Sequence, residues 1–123
     1  MLPETRVSFH TEDRPLQAVY DAAEAKCRKN LQSFAGRTVL VEGGGYEKIW
    51  LETQPMGGEM YALRNLEAAR NNCALFMEHQ RADGRLPGSI QCVNGRVEPQ
   101  FNKYQGFCFP FPALNLYYLL ERD

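Results

Sequence analysis

Residues 49–88 read IWLETQPMGGEMYALRNLEAARNNCALFMEHQRADGRLPG, and the rest of the chain is organised around this stretch. It opens with alternating apolar and polar side chains, which is typical of an extended segment. Gly57 and Gly58 then predict either a close approach of the backbone or a sharp turn before the next helix. Apolar residues at spacings of three and four predict one long helix over residues 59–81. The turn pairs DG and PG that follow end this helix in a loop.

Trp50, Glu52 and Gln54 fall on one side of the extended segment, because side chains alternate along a strand. An indole face stacks on the apolar face of a sugar ring, while carboxylate and amide groups bond its hydroxyls. This combination predicts a carbohydrate site. A single Trp beside Ile49 and Leu51 also fits a core anchor, and the residues alone leave this alternative open.

The helix predicted over residues 59–81 carries two rows of side chains. Its core row is apolar and consists of Ala62, Leu66, Ala69, Cys73 and Phe76. Beside it runs a nearly aligned polar row of Tyr61, Asn65, Asn72 and His79. Two interpretations fit the polar row: it lines a carbohydrate pocket, or it has a structural role in which it bonds a neighbouring helix end or faces water. Arg64 and Glu67, three residues apart, predict an ion pair within the helix.

Before this stretch, the sequence predicts a helix over residues 14–35 and a short β-prone segment over residues 37–42. Asp13 is suited to cap the start of the helix, and Gly36 is suited to end it. The β-prone segment leads into three glycines at residues 43–45. This triplet lacks the Lys-Ser/Thr of a phosphate-binding P-loop, so it predicts a flexible bend.

After this stretch, the Asn94-Gly95 pair between two short runs predicts a β-hairpin over residues 89–100. A final helix follows Pro112 and is apolar on every side. A helix of this kind must be covered on several sides. The sequence therefore predicts that Leu114, Tyr117 and Leu120 contact either a further helix or a second copy of the chain.

Composition places the 123 residues in one globular domain, with 44% hydrophobic and 24% charged residues. A formal net charge of -1 gives no general attraction to nucleic acid or anionic lipid. We expect no membrane partner and a cytoplasmic location, because no apolar run is long enough to cross a bilayer and the first residues lack the order of a secretory signal. The cysteines form no CxxC pair, so we expect free thiols, no metal and no cofactor.

Three motifs carry a resemblance to a known family: WLETQPMGGEMYALRN, FMEHQRADGRLPGSI and QGFCFPFPALNLYYL. Their order and spacing resemble the opening helical hairpin of bacterial six-hairpin glycosidases, over about residues 50–119. The resemblance implies a mainly α fold, in which helical hairpins of an (α/α)6-type toroid and a small β-hairpin form an incomplete barrel. Residues 1–123 would then be a single domain, equivalent to the N-terminal segment of such a barrel.

The resemblance also implies that this segment supplies part of a sugar-binding cleft. It assigns five residues to the substrate, namely Trp50 and Tyr61 for stacking and Glu52, Gln54 and Arg64 for bonding hydroxyls. It assigns the shape of the adjoining loop to Asp83 and Arg85. The expected partner is an oligosaccharide or a glycoside.

Cleavage of a glycosidic bond needs two carboxyl groups that flank the anomeric carbon. The candidates are Glu52, Glu59 and Asp83, and each has a structural role available as a helix-start or turn residue or as a hydrogen-bond acceptor. In the resembling glycosidases the acid and base lie further along the chain, so neither maps onto a residue here. The leading hypothesis is a carbohydrate-binding segment of a glycoside hydrolase that is inactive alone. The alternative is a small helical assembly module that performs no chemistry and oligomerises through its final helix.

Overall fold

The computed structural model describes residues 7–43, 46–103 and 106–121, with the side chains of α4 described as far as residue 118. In chain order the elements are α1 (Arg14–Lys29), β1 (Leu31–Phe34), β2 (Arg37–Leu40), β3 (Lys48–Trp50), α2 (Gln54–Tyr61), α3 (Leu66–Glu78), β4 (Ser89–Val93), β5 (Arg96–Gln100), a short 3-10 turn (Gly106–Cys108) and α4 (Pro110–Glu121).

The prediction of a mainly α, toroid-like fold is wrong. The described residues combine four α-helices with two antiparallel sheets, one of order β1-β2 and one of order β3-β4-β5. The strands form part of the core together with α3. This core contains the buried side chains Phe34, Val39, Val41, Ile49, Leu51, Leu75, Phe76 and Ile90. Because the sheets bury these residues against the helix, the architecture is a mixed α+β one.

The helix predicted over residues 14–35 is shorter than expected. Asp13 caps its start as predicted, accepting a hydrogen bond from the Leu16 amide at 3.0 Å. Its last residue is Lys29, because the next segment pairs with β2 as strand β1. Ala35 and Gly36, with φ angles of 49° and 83°, form the tight turn between the two strands. This turn makes residues 31–34 and the predicted β-prone segment into a hairpin.

The helix predicted over residues 59–81 is two helices, and the Gly57-Gly58 pair lies inside the first instead of before it. Asn65 separates them, since its side chain accepts a hydrogen bond from the Ala68 amide and caps α3. A Cβ at Gly58 would lie 3.1 Å from the Cα of Ala69. Glycine is used here for the close approach of α2 to α3 and not for a turn.

The apolar row of the predicted helix is confirmed as core. Ala62, Ala69, Cys73 and Phe76 are buried, and Leu66 packs beside them. The row continues across the α2–α3 break because the two helices pack closely against each other. Spacing along the sequence therefore identified the buried face even though the helix boundaries differ.

The hairpin predicted around Asn94-Gly95 is confirmed as β4 and β5, with φ angles of 50° and 76° at the two turn residues. These angles belong to the two-residue turn that matches the twist of paired strands. Strand β3, which ends at Trp50, pairs with β4 on the other side. The hairpin thus extends to a three-stranded sheet.

Helix α4 begins at Pro110, and its side chains up to residue 118 include both buried and exposed apolar groups. Leu116 is buried, whereas Phe111, Leu114 and Tyr117 are 70%, 56% and 56% exposed. Two members of the predicted contact face are therefore exposed, and the side chain of Leu120 lies outside the described residues. Within the described part of the chain, every helix is too short or too polar to pass through a bilayer.

Candidate functional site

Trp50 lies on the face of the three-stranded sheet that is turned away from the core. Ile49 is 0% exposed on the inner face, so its neighbours Lys48 and Trp50 lie on the outer face and are half-buried. Trp50 is therefore not a sealed core anchor. The alternation expected from the sequence holds at this position, although the strand ends at Trp50 and Gln54 already belongs to α2.

Cross-strand pairing continues this outer face over β4 and β5. One row consists of Trp50, Ser89 and Gln100, and the next consists of Lys48, Gln91 and Glu98. The ammonium group of Lys48 donates to Gln100 Oε1 at 3.0 Å, and the hydroxyl of Ser89 donates to the same oxygen at 3.2 Å. The outer face thus carries a connected set of polar side chains with one aromatic ring at its end, and Ser89 within this set is buried.

A cavity of about 200 Å³ opens at this ring. It is lined by Glu42, Tyr46, Trp50, Glu52 and Lys103. Two ammonium groups approach the indole, with Nζ of Lys48 at 5.8 Å and Nζ of Lys103 at 5.5 Å from the ring centroid. The cavity therefore brings together two aromatic rings, two carboxylates and, at its edge, two cations.

Lys103 reaches the ring because its backbone packs against Gly88. The Gly88 amide donates to Gln100 O at 2.9 Å, and its carbonyl accepts from the Leu51 amide at 3.0 Å. A Cβ at this position would overlap the carbonyl oxygen of Lys103 and lie 2.8 Å from the carbonyl carbon. The residue before β4 must therefore be glycine for the segment after β5 to lie beside Trp50.

Gln54, predicted to bond a substrate hydroxyl, is only 5% exposed. Its side-chain oxygen accepts hydrogen bonds from the Trp50 amide and, at 2.9 Å, from the hydroxyl of Thr53. Its carbonyl accepts from the side chain of Asn72 at 2.9 Å. Gln54 thus holds the backbone of Trp50 in place and does not line the cavity.

Tyr61 and Arg64, the other two predicted substrate residues, lie in a separate groove. This groove has a volume of about 400 Å³ and a mostly apolar lining that includes Tyr20, Cys27, Leu40 and Met60. Burial raises the pKa of Tyr61, and nearby Cys27 and Glu24 raise it further. The guanidinium of Arg64 donates to Glu24 of α1 at 2.5 Å, which raises the pKa of Arg64. The predicted pair of Arg64 with Glu67 is replaced by this contact between the α2–α3 turn and α1.

The polar row beside the core stripe bonds the protein itself. Asn65 caps α3, and the imidazole of His79 lies 2.8 Å from Leu75 O at its end. Asn72 is fully buried and bonds the backbone of Leu40 and Gln54. Of the two interpretations that the spacing left open, the hydrogen bonds support the structural one for these three residues.

The predicted loop residues contact the turn after α3. Asp83 forms an ion pair with Arg81 at 2.7 Å and accepts from the Arg85 amide at 3.1 Å. The guanidinium of Arg85 donates to Phe101 O at 2.6 Å. Glu59, one of the three carboxyl candidates, accepts from Asn115 of α4 at 2.5 Å. Only Glu52 of those three candidates lines the Trp50 cavity.

Three cavity residues were not identified from the sequence: Glu42, Tyr46 and Lys103. Glu42 and Tyr46 flank the glycine triplet, so an aromatic residue and a carboxylate beside a bend were the available signal. Lys103 carried no signal, because only the pairing of β5 with β4 brings it to Trp50. No group of three or more metal-ligating side chains occurs in residues 7–43, 46–103 and 106–121, and all four cysteines are free.

Comparisons with protein families, with curated proteins and with solved structures found no match for this chain.

Proposed function

We propose that this protein binds a sugar ring in the Trp50 cavity. One observation carries the proposal: a half-buried indole lies at a cavity whose other lining groups are Tyr46, two carboxylates and an ammonium group. Aromatic faces pack on the apolar face of a pyranose, and carboxylates accept hydrogen bonds from its hydroxyls. Both kinds of contact converge on one space here.

The volume of the cavity favours one ring over a longer chain of sugars. Sites for drug-sized ligands measure about 300 to 1,000 Å³, whereas this cavity measures about 200 Å³. A monosaccharide, or the terminal residue of a glycoside, is the ligand that this space supports. The rest of an oligosaccharide would lie along the polar outer face of β4 and β5.

Within glycoside hydrolysis, the role that we propose for this chain is substrate binding without bond cleavage. The resemblance of residues 50–119 to glycosidases supports the link to this chemistry. Of the predicted carboxyl candidates, Glu59 bonds Asn115 and Asp83 pairs with Arg81, both away from Trp50. We assign Glu52, with Glu42, to hydroxyl groups of the sugar and leave the acid–base pair unassigned in this chain.

Fluorescence tests the proposal directly, because Trp50 is the only tryptophan. Titration with a panel of monosaccharides and methyl glycosides is expected to change its emission in a saturable way. Glu52→Ala is expected to weaken binding, while the matched variant Glu67→Ala, on the exposed surface of α3, leaves it unchanged. Emission that is indifferent to the whole panel would overturn the proposal. Turnover of a nitrophenyl glycoside by this chain, lost in Glu52→Gln, would instead make Glu52 catalytic.

Exposed side chains on α4 favour a second candidate function, assembly of two copies. Phe107, Phe111, Leu114 and Tyr117 are all more than half exposed along one helix and the turn before it. At 150–250 Å² per aromatic side chain, they offer on the order of 500 Å² per copy. Two copies would bury about 1,000 Å² in total, the lower bound for a specific interface. The segment carries no charge from Gly106 to Tyr118, so two copies meet without like-charge repulsion.

Sedimentation equilibrium of the native chain tests the second candidate. Leu114→Glu is expected to shift the mass from that of a dimer to that of a monomer. Val19→Glu is the matched control, because Val19 is also more than half exposed, on α1, but lies outside the α4 face. A native chain that is monomeric at all concentrations would exclude this function.

For location we propose the cytoplasm. All four cysteines, at positions 27, 73, 92 and 108, are free thiols, which persist in a reducing compartment. Fractionation of cells that produce the protein tests this assignment.

A further inference from the structure

We infer that the sugar bound at Trp50 is an acidic one, a hexuronic acid whose carboxylate pairs with Lys48 and Lys103. This inference rests on the proposed function and adds the class of sugar. It starts from the two ammonium groups that lie within 6 Å of the indole centroid.

The two lysines are brought to Trp50 by separate parts of the fold. Lys48 lies two residues before Trp50 on the same face of β3 and is tied to Gln100 by its hydrogen bond. Lys103 follows β5, and its backbone is placed by the packing against Gly88. Two independent elements thus deliver positive charge to the same ring, and one of the two lysines, Lys103, lines the cavity itself.

The charge of both lysines is available for a ligand. The ion pairs among the described residues are Arg37–Glu78, Arg64–Glu24 and Arg81–Asp83, so neither Lys48 nor Lys103 is in a salt bridge there. Their contacts are with the indole and, for Lys48, with an uncharged amide. A carboxylate would convert these contacts into charge-assisted hydrogen bonds, which are shorter and about twice as strong as neutral ones.

A neutral sugar fits this charge distribution less well. An ammonium group over an aromatic face is held by the ring quadrupole, so an uncharged ring that stacks on Trp50 competes with the two lysines. A hexuronate instead offers a carboxylate to the ammonium groups at the ring and leaves its hydroxyls for Glu42 and Glu52. The lining holds Glu42, Glu52 and Lys103, and Lys48 lies beside the indole, so the preference depends on direct pairing of the carboxylate with an ammonium group and not on the net charge of the cavity.

The experiment compares three sugars of the same size: glucuronate, glucose and glucosamine. Binding to the whole chain is followed by Trp50 fluorescence at low and high salt. We expect glucuronate to bind at least about tenfold more tightly than glucose, the effect of one hydrogen bond between charged groups. We expect added salt to reduce this ratio, because both lysines are partly exposed to solvent.

Lysine variants separate the effect of the ammonium charge on affinity from the effect of packing against the ring. Lys103→Met keeps an apolar side chain near the ring and is expected to lower the affinity for glucuronate about tenfold, without a matching loss of affinity for glucose. Lys29→Met, on the exposed end of α1, is the matched control and should change neither affinity. Circular dichroism confirms that each variant is folded.

The outcomes distinguish the preference for an acidic sugar from the proposed binding of sugars in general. Equal affinity for glucose and glucuronate, or a preference for glucosamine, would overturn the acidic sugar and leave the carbohydrate site standing. The same result follows if Lys103→Met weakens both sugars equally. Absence of any sugar response would overturn the proposed function, and with it the acidic sugar.

Discussion

Replacing Asn72 by alanine should destabilise the protein more than any other single truncation of a polar side chain in α3. Asn72 is 0% exposed and joins three segments of the fold. Its Oδ1 accepts from the Leu40 amide, and its Nδ2 donates to the carbonyls of Leu40 and Gln54, each at 2.9 Å. One side chain thus connects α3 to the end of β2 and to the start of α2.

The expected cost follows from these three hydrogen bonds. A buried hydrogen bond contributes about 0.5 to 1.5 kcal/mol net, so three give about 1.5 to 4.5 kcal/mol. The upper half of this range is expected, because truncation also leaves one amide and two carbonyls of the backbone without their buried partner. A domain of this size has a total stability of about 5 to 15 kcal/mol. Asn72→Ala should therefore remove a large part of it.

Urea unfolding followed by far-ultraviolet circular dichroism measures this cost, and the adjacent residue supplies the control. Asn71 is half-buried and makes one hydrogen bond, from Nδ2 to Thr38 O at 2.8 Å. Asn71→Ala should cost about 0.5 to 1.5 kcal/mol. If the free energies of unfolding of the two variants lie within about 0.5 kcal/mol of each other, the three-bond role of Asn72 is refuted.

Three further predictions concern the groove, the core thiol and the glycine before β4. Gly88→Ala should displace Lys103 and weaken glucuronate binding in the fluorescence titration, and unchanged binding would show that the close packing is not required. Burial, with a smaller contribution from Glu59, raises the pKa of Cys73 from 9.0 to about 12. Because the folded protein holds this proton more tightly than the unfolded chain does, the free energy of unfolding should fall as pH rises from about 9 towards 12. Urea unfolding of a Cys73→Ala variant should lack this pH dependence. Arg64→Ala should speed hydrogen exchange in α1, because Arg64 pairs with Glu24 of that helix. Sugar binding should be unchanged, because Arg64 lies outside the Trp50 cavity. Weaker sugar binding in this variant would place Arg64 in the site.

The features that the sequence predicted well are those decided by neighbouring residues. Asp13 caps a helix three residues away, and Asn94-Gly95 closes a hairpin between adjacent strands. The apolar stripe of the central helices is also local, since it depends only on helical spacing. These predictions need no knowledge of distant contacts, and the structure confirms each of them.

The prediction of a mainly α fold was wrong in part because strand pairing decides the structure of residues 31–34 and 37–40. Residues 31–34 continue the apolar spacing of α1, so the sequence alone extends the helix through them. A partner strand is available at residues 37–40, and the Ala35-Gly36 turn holds the two in register. Residues 31–34 therefore form a strand of the hairpin and do not extend α1, so pairing with a second strand overrides the helical spacing of their apolar residues.

The residues of the site also divide into those that neighbouring residues predict and those that distant contacts decide. Trp50 and Glu52 were found because they are two residues apart and share one cavity. Gln54 was misplaced, because α2 begins there and turns its side chain under the Trp50 backbone. Lys103 was missed because 53 residues separate it from Trp50, and only the β3-β4-β5 order brings it back.

The dependence of the cavity on that strand order has a physical consequence. Trp50 is held from one side by Gln54 and, through it, by Asn72, while Lys103 is held from the other by the contact of its backbone with Gly88. The aromatic and cationic halves of the site are therefore supported by different segments. A substitution at Asn72 should loosen the aromatic half, and one at Gly88 should move the cationic half. If both substitutions weakened glucose and glucuronate by the same factor, the two halves would not act separately, and charge would not set the choice of sugar.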